Sequence, residues 1–232
     1  MKKMALTTDF RFSFGTLITL GEKTASLMSR DQAELSTYGV TYADRTFILE
    51  TTDNLKNMPG DDEFLGTCME RTKAKDSIAD QLRVETRSYM IRVADTYGED
   101  SGTYRRFGTA GLSKLSDSDL LLCCKRVLRL TGTYFDALKE KGITQQMVDR
   151  LGGLCTQFDE ALGLKEDADM EREVAAEQRT ASANALYAKI NRICGFGKDY
   201  WYTRSEAKYN DYIIYDTPAG TKDDTKPPAN PA

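Results

Sequence analysis

Hydrophobic residues recur along most of this chain at the three- and four-residue intervals of an amphipathic helix. In one segment the steps between apolar positions are 3, 4, 7 and 3, and in the next segment they are 4, 3, 4 and 4. The two sets are Leu121, Cys124, Leu128, Phe135 and Leu138, followed by Met147, Leu151, Leu154, Phe158 and Leu162. Each set lies along one stripe of a helix, so the pattern predicts an all-α protein.

Glycine, proline and threonine mark the ends of the predicted helices. Residues 67–97 contain no glycine and no proline, which predicts one long helix. Gly39 and Gly142 stand where a left-handed residue closes a helix, and Thr41 and Thr144 follow where a hydroxyl caps the next one. The predicted helices span residues 14–38, 42–57, 62–97, 117–140, 145–162 and 167–194, with further breaks at Pro59-Gly60 and near Gly163.

The two halves of the sequence resemble each other. Residues 35–41 match residues 138–144 at an offset of 103, and a second match at an offset of 97 places Gly98 on Gly195. Because the matched positions keep helical spacing, they predict two tandem copies of a three-helix unit. We therefore expect a helical bundle of about six helices with pseudo-twofold character. Chance similarity between amphipathic helices is the alternative.

Composition divides the chain into five predicted segments. One of them, the connector at residues 99–116, is rich in glycine, serine and threonine. This composition is typical of a loop and favours a hinge between domains. The last segment holds aromatic residues and then four of the five prolines. The predicted segments are an N-terminal arm at 1–13, helical repeat 1 at 14–98, the connector at 99–116, helical repeat 2 at 117–202 and the tail at 203–232.

The charge balance excludes a broad positive surface. The chain has 32 basic and 36 acidic residues, so the electrostatic attraction that dominates nucleic-acid binding has no source, and we expect no nucleic-acid partner. No window approaches the roughly 18 apolar residues of a membrane span, and residues 1–21 lack a signal core. We therefore expect a cytoplasmic protein with no membrane partner.

The chain contains no histidine, which removes several kinds of catalytic and metal site. It excludes Ser-His and Cys-His nucleophile pairs, histidine-bound haem and the Glu-x-x-His di-iron sites of helical bundles. Carboxylates on the long helices alternate with lysine and arginine, as on a solvated, ion-paired face. We predict no catalytic residue, no cofactor and no metal site.

The cysteines and one arginine pair could form reactive or binding sites, but a structural role explains each of them more simply. The five cysteines show no C-x-x-C spacing and lie mostly in apolar helical patterns, so they are expected to be buried free thiols. The alternative to burial is that the adjacent pair Cys123-Cys124 forms a redox site or a soft-metal site. Arg105-Arg106 in the connector is an alternative anion site, although solvated arginines on a surface loop explain it better. The cysteines are Cys68, Cys123, Cys124, Cys155 and Cys194.

Aromatic residues are concentrated near the C-terminus, between residues 196 and 215. Tyrosine and tryptophan are enriched at protein interfaces because they bury a large area and keep a polar group. The alternative is that this segment folds back on its own bundle, and residues 209–215 also have strand propensity. The predicted interface residues are Phe196, Tyr200, Trp201, Tyr202, Tyr209, Tyr212 and Tyr215.

These observations favour a non-enzymatic structural or scaffold protein. We expect it to self-associate into a homo-oligomer or polymer through its aromatic C-terminal segment and its tails. The alternative is a cytoplasmic binding or adaptor module that holds a partner helix or peptide in a groove between the repeats. An enzyme that uses carboxylate or thiol chemistry is the third hypothesis.

Overall fold

The computed structural model describes residues 6–215 and confirms the all-α prediction. Within these residues the chain forms helices and no strand. The α-helices are α1 (Phe14–Arg30), α2 (Gln32–Ser36), α3 (Tyr42–Asn57), α4 (Asp61–Tyr97), α5 (Gly102–Phe107), α6 (Asp117–Thr133), α7 (Phe135–Lys139), α8 (Gln145–Trp201) and α9 (Glu206–Asp211), and a 3-10 helix spans Leu112–Lys114.

Two predicted helices are each divided in the structure, and two others are joined. Asp31 and Tyr134, with φ of −109° and −108°, separate α1 from α2 and α6 from α7. The predicted break near Gly163 is wrong, because α8 continues without interruption to Trp201. A single glycine costs a helix only about 1 kcal/mol, and residues 164–194 contain no further glycine or proline.

The connector predicted for residues 99–116 is more structured than its composition indicates. It contains α5 and the 3-10 helix. Ser101 begins α5, where its hydroxyl accepts a hydrogen bond from the Tyr104 N–H at 3.0 Å. Phe107 and Leu112 are 0% and 7% exposed. These two apolar side chains hold the connector against a hydrophobic core, so it is not an open hinge loop.

The chain divides into two compact units that do not follow the predicted repeats. The first unit contains residues 6–59 and 174–215, and the second contains residues 60–173. Helices α1 to α3 and the second part of α8 therefore belong to the first unit, whereas α4 to α7 and the first part of α8 belong to the second. Each predicted repeat contributes helices to both units.

The core of the first unit combines residues that lie far apart in the sequence. Apolar side chains from α1 to α3 pack against the last turns of α8 and against Tyr212. Gly21 of α1 lies so close to α3 that a Cβ atom there would be 2.4 Å from the Thr52 hydroxyl. The buried residues of this core are Phe10, Leu17, Ala25, Leu27, Met28, Leu35, Ile48, Leu55, Ala183, Leu186, Ile190, Ile193, Cys194 and Tyr212.

The core of the second unit is formed by α4, α5, α6, α7 and the first part of α8. The contributions of α4 and α5 come from the first half of the sequence, and those of α6 to α8 come from the second half. The buried residues are Ala79, Leu82, Tyr89, Met90, Val93, Phe107, Leu112, Leu120, Leu121, Cys123, Cys124, Val127, Leu138, Ile143, Leu151, Leu154, Cys155 and Phe158.

Helix boundaries in the two halves of the chain correspond at the offset of 103 that the sequence indicated. Helices α6 and α7 begin and end 103 residues after α1 and α2, and α8 begins 103 residues after α3. Gly39 and Gly142 close the equivalent turns with φ of 73° and 83°, a conformation that favours glycine. The duplication itself stays a prediction.

The packed connector leads to a prediction about stability. Replacing Phe107 with alanine should lower the free energy of unfolding by about 3–5 kcal/mol, because the fully buried ring leaves a cavity. Urea unfolding followed by circular dichroism measures this loss. Arg105→Ala, on the exposed face of the same helix, is the control and should change stability by less than about 0.5 kcal/mol. Equal small effects in both variants would show that the connector does not pack.

Candidate functional site

The aromatic C-terminal segment, residues 196–215, folds back onto the first unit of its own chain. The ring of Phe196 stacks on Tyr38 with centroids 5.1 Å apart. Tyr212 is fully buried, and its hydroxyl donates a hydrogen bond to Asp31 at 2.8 Å. Strand propensity in residues 209–215 is overridden, because α9 occupies the first residues of this stretch. These contacts agree with the alternative given above, in which the segment packs on its own helical bundle.

Four further aromatic residues of this segment pair with one another around the end of α8. Tyr200 and Trp201 meet edge to face with centroids 4.9 Å apart, and Tyr202 and Tyr209 do so at 5.9 Å. The ammonium group of Lys208 lies 3.8 Å from the centre of a Trp201 ring, a cation–π contact. These four rings are partly exposed. Their role at an interface stays a prediction.

The remaining predicted interface residues occupy different environments. Phe196 is partly buried, and Tyr215 is 46% exposed. Tyr212 belongs to the core, so its ring is not on the surface of the folded chain. The sequence could not separate Tyr212 from its neighbours, because its burial depends on α1 and α2, more than 170 residues away in the chain.

Asp31 anchors this segment with a buried carboxylate. It accepts hydrogen bonds from Arg30 at 2.7 Å, from Lys208 at 3.0 Å and from the Tyr212 hydroxyl. Burial alone raises the pKa of Asp31, but these hydrogen bonds outweigh it and lower the pKa to about 2. A charged Asp31 therefore holds α9 and Tyr212 at the break between α1 and α2. Sequence reasoning did not identify this residue.

Gly197 leaves the space that the Tyr212 ring occupies. A Cβ atom at this position would lie 2.3 Å from a ring carbon of Tyr212. Gly195, two residues earlier in α8, has no such neighbour within 4 Å. In the sequence, the two glycines of Gly195-Phe196-Gly197 indicate that a neighbouring group could approach α8 closely here. Only the packing shows that the close approach is at Gly197 and not at Gly195.

A second aromatic cluster joins the two end segments of the described chain, and we call it the end cluster. The Tyr187 ring of α8 lies 5.6 Å from Phe10 and 6.0 Å from Phe12, measured between centroids. The Phe12 ring lies 5.6 Å from Tyr215, whose hydroxyl is 3.1 Å from that of Tyr187. The members of the end cluster are Phe10, Phe12, Phe14, Tyr187 and Tyr215. The sequence did not predict the end cluster, because its residues come from segments that lie far apart in the chain.

A polar contact and a groove lie between α3 and the second part of α8. Lys189 donates to Asp44 at 2.6 Å, and Asp44 also accepts the Thr41 N–H as an N-cap bond. These partners, Lys189 first, lower the pKa of Asp44 to about 2. The groove beside this contact is lined by Phe47, Thr51, Asn54, Asn57, Met58 and Pro59 together with Ser182 and Ala185.

Four of the five cysteines belong to the two cores, and Cys68 lies outside them, where its thiol donates to the Ala168 carbonyl at 3.5 Å. All five are buried free thiols, and burial raises the pKa of Cys194 to about 11. A hydrogen bond with Cys155 lowers the pKa of Cys124 to about 7, and the Cys124 thiol also lies 3.3 Å from the Thr86 hydroxyl. Because Cys124 is 0% exposed, its thiol has no contact with solvent.

The arginine pair of the connector and the acidic residues form no grouped site. Arg105 and Arg106 lie exposed on α5, and Arg106 donates to the Tyr134 hydroxyl at 3.1 Å. In residues 6–215 no three cysteine, aspartate or glutamate side chains are grouped as metal ligands would be.

The charged faces of the long helices are ion-paired as expected, with one exception. Arg83 pairs with Asp80 at 3.1 Å on the surface of α4. Lys75, one of the lysines that alternate with the carboxylates of α4, is not solvated: it is 7% exposed and binds Asp76 and Asp117. It lies on the stripe that α4 buries, where the two carboxylates compensate the loss of water.

No protein-family model, curated protein or solved structure matches this chain. Among the helices of residues 6–215, none is both long enough and apolar enough to cross a membrane.

The close contact at Gly197 yields a prediction with a matched control. Gly197→Ala should lower the free energy of unfolding by about 1–3 kcal/mol, because the new methyl group displaces the buried Tyr212 ring. Gly195→Ala in the same helix has open space and should raise stability by up to about 1 kcal/mol. Denaturant unfolding of both variants measures the difference. Equal stabilisation by both substitutions would contradict the close packing of Tyr212.

The depressed pKa of Asp31 predicts a pH-dependent contribution to stability. The stabilisation is fully present above the ordinary pKa of 3.8 and is lost as the pH falls towards the folded-state pKa of about 2. The stability difference between the wild type and Asp31→Asn should therefore shrink by about 2 kcal/mol between about pH 5 and pH 2. Urea unfolding across this range measures it. A difference that does not change with pH would show that Asp31 is not held as a charged group.

Proposed function

We propose that this chain is a non-enzymatic structural or scaffold protein that self-associates into a homo-oligomer or polymer. The contacts are its aromatic C-terminal segment and the two end segments of the chain. One observation carries the proposal: residues from both end segments meet at the end cluster, where Phe12 and Tyr215 lie side by side. This aromatic surface combines Tyr215 of the C-terminal segment with Phe10 and Phe12 of the N-terminal arm.

The end cluster has the character of an interface surface. Tyr215 is 46% exposed, and Phe12, Phe14 and Tyr187 are partly exposed around the buried Phe10. Aromatic side chains on a rigid helix bury a large area at a low cost in conformational entropy. Tyr187 belongs to α8 and fixes the other rings in place. A second copy of the chain would cover the exposed ring faces.

The non-enzymatic part of the proposal rests on composition and on the thiols. The sequence offers no histidine for general base catalysis near pH 7. Burial raises the pKa of Cys123 and Cys194, which disfavours the nucleophilic thiolate form, and the thiol of Cys124, whose pKa is lowered to about 7, is fully buried away from solvent. Cytoplasmic location and the expected lack of nucleic-acid partners remain part of the proposal, on the basis of charge balance and free thiols.

A second candidate function is supported by the groove beside α3. Its walls come from helical repeat 1, through Phe47 and Met58, and from helical repeat 2, through Ser182 and Ala185. This matches the adaptor hypothesis, in which a partner helix or peptide lies between the repeats. A binding module of this type would bind its partner as a monomer.

Size-exclusion chromatography with light scattering tests the proposal. The full chain should elute as an oligomer whose mass rises with concentration, and Tyr215→Ala should weaken association by about tenfold or more. Tyr42→Ala removes a tyrosine that is 74% exposed elsewhere on the first unit, and it should leave the oligomer unchanged. A full chain that stays monomeric at all concentrations would overturn self-association and favour the binding module.

A further inference from the structure

We propose that two copies of the chain associate by exchanging the N-terminal segment that ends at Met58. In this dimer, α1 to α3 of one copy pack on the second part of α8 and on α9 of the other copy, and the reverse pair forms at the same time. The inference deepens the proposed self-association and rests on it.

The construction of the first unit carries this inference. Its two parts, residues 6–59 and 174–215, are separated in sequence by the whole of residues 60–173. Leu17 and Ile48 from one part and Leu186 and Ile190 from the other are all 0% exposed. The apolar stripe of α1 to α3 is therefore buried by contacts with a distant part of the chain. Residues 174–215 of a second copy present the same covering surface to this stripe.

The connection between α3 and α4 has the features of a hinge. Met58 and Gly60 have ψ of 134° and 160°, so the backbone is extended between two helices that each close with their own cap. The Met58 N–H donates to the Asn54 carbonyl, and the Gly60 N–H donates to Glu63 at 2.7 Å. Changing a few backbone angles at Met58, Pro59 and Gly60 leaves both helices intact, as in known hinge motions.

The polar contacts across this surface can form within one chain or between two. Lys189 pairs with Asp44, and Tyr38 donates to Asp199 at 2.6 Å. In both pairs one partner belongs to residues 6–58 and the other to residues 174–215. An exchanged dimer keeps these bonds and changes only which copy supplies each partner.

The exchange also gives the predicted aromatic interface a physical role. Phe196 stacks on Tyr38, and Tyr215 contacts Phe12. Both contacts lie within one chain in the folded monomer. In the exchanged dimer the same rings meet between copies, so rings that pack together in the monomer become interface residues without any new surface.

Charge reversal of the pair Asp44 and Lys189 tests the exchange. Asp44→Lys and Lys189→Asp each place two like charges together within one chain. When the two variants are mixed, only an exchanged heterodimer brings the two substituted side chains together as an opposite-charge pair and keeps the native pair in its other half. Co-refolding the two variants, one labelled with nitrogen-15, and recording native mass spectra should show about tenfold more heterodimer than either homodimer.

The double variant Asp44→Lys/Lys189→Asp is the matched control. It lacks the same N-cap bond, but it restores an opposite-charge pair within a single chain. Labelled and unlabelled copies of it should mix without any preference for the heterodimer. Absence of the heterodimer in the mixture of single variants, while the wild type still forms oligomers, would overturn the exchange and leave self-association standing. If the heterodimer forms but Tyr215→Ala does not weaken association, the result would support the exchange and reject association through the exposed ring of Tyr215.

A hinge variant provides an independent measurement. Closure within one chain needs extended backbone at Met58 and Gly60, whereas alanine at positions 59 and 60 favours a continuous helix like α8. Pro59→Ala/Gly60→Ala should therefore raise the dimer fraction at a given concentration by about fivefold or more. A lower dimer fraction would contradict the hinge.

Discussion

The first unit depends on burying the apolar stripe of α1 to α3 against a helix from the far end of the chain. Leu17, Ile48 and Leu186 are among the residues that lose all contact with water there. Burying each such side chain contributes roughly 2 kcal/mol, which is large beside the net free energy of unfolding of about 5–15 kcal/mol of an ordinary domain. The stripe therefore has to be covered, whether the covering helix comes from the same chain or from another.

The polar anchor at Asp31 specifies how that covering is completed. A fully buried carboxylate is costly unless it is charged and surrounded by donors, and Arg30, Lys208 and Tyr212 supply those donors. Two of the donors, Lys208 and Tyr212, come from the aromatic C-terminal segment, so Asp31 ties this segment to the break between α1 and α2.

Local patterns predicted most helix starts but not the packing partners of the helices. The starts at residues 14, 42, 117 and 145 agree with the predicted ones, because caps and apolar spacing are local signals. The predicted break near Gly163 was wrong, since one glycine does not outweigh the helix-forming residues around it. Neither the burial of Tyr212 nor the end cluster was predictable, because both depend on contacts between segments more than 170 residues apart.

Competition between closure within one chain and exchange between chains depends on the linker. The three-residue connection joins α3 to α4, so α1 to α3 stay tethered to their own chain at an effective concentration in the range of about 1 mM, and a free chain at low concentration closes on itself. Exchange between chains becomes more favourable when the local concentration of other copies is comparable to this effective concentration, as it would be inside a homo-oligomer or polymer. In the proposed assembly the exchange would make dissociation slow, because leaving the assembly requires uncovering the apolar stripe of α1 to α3.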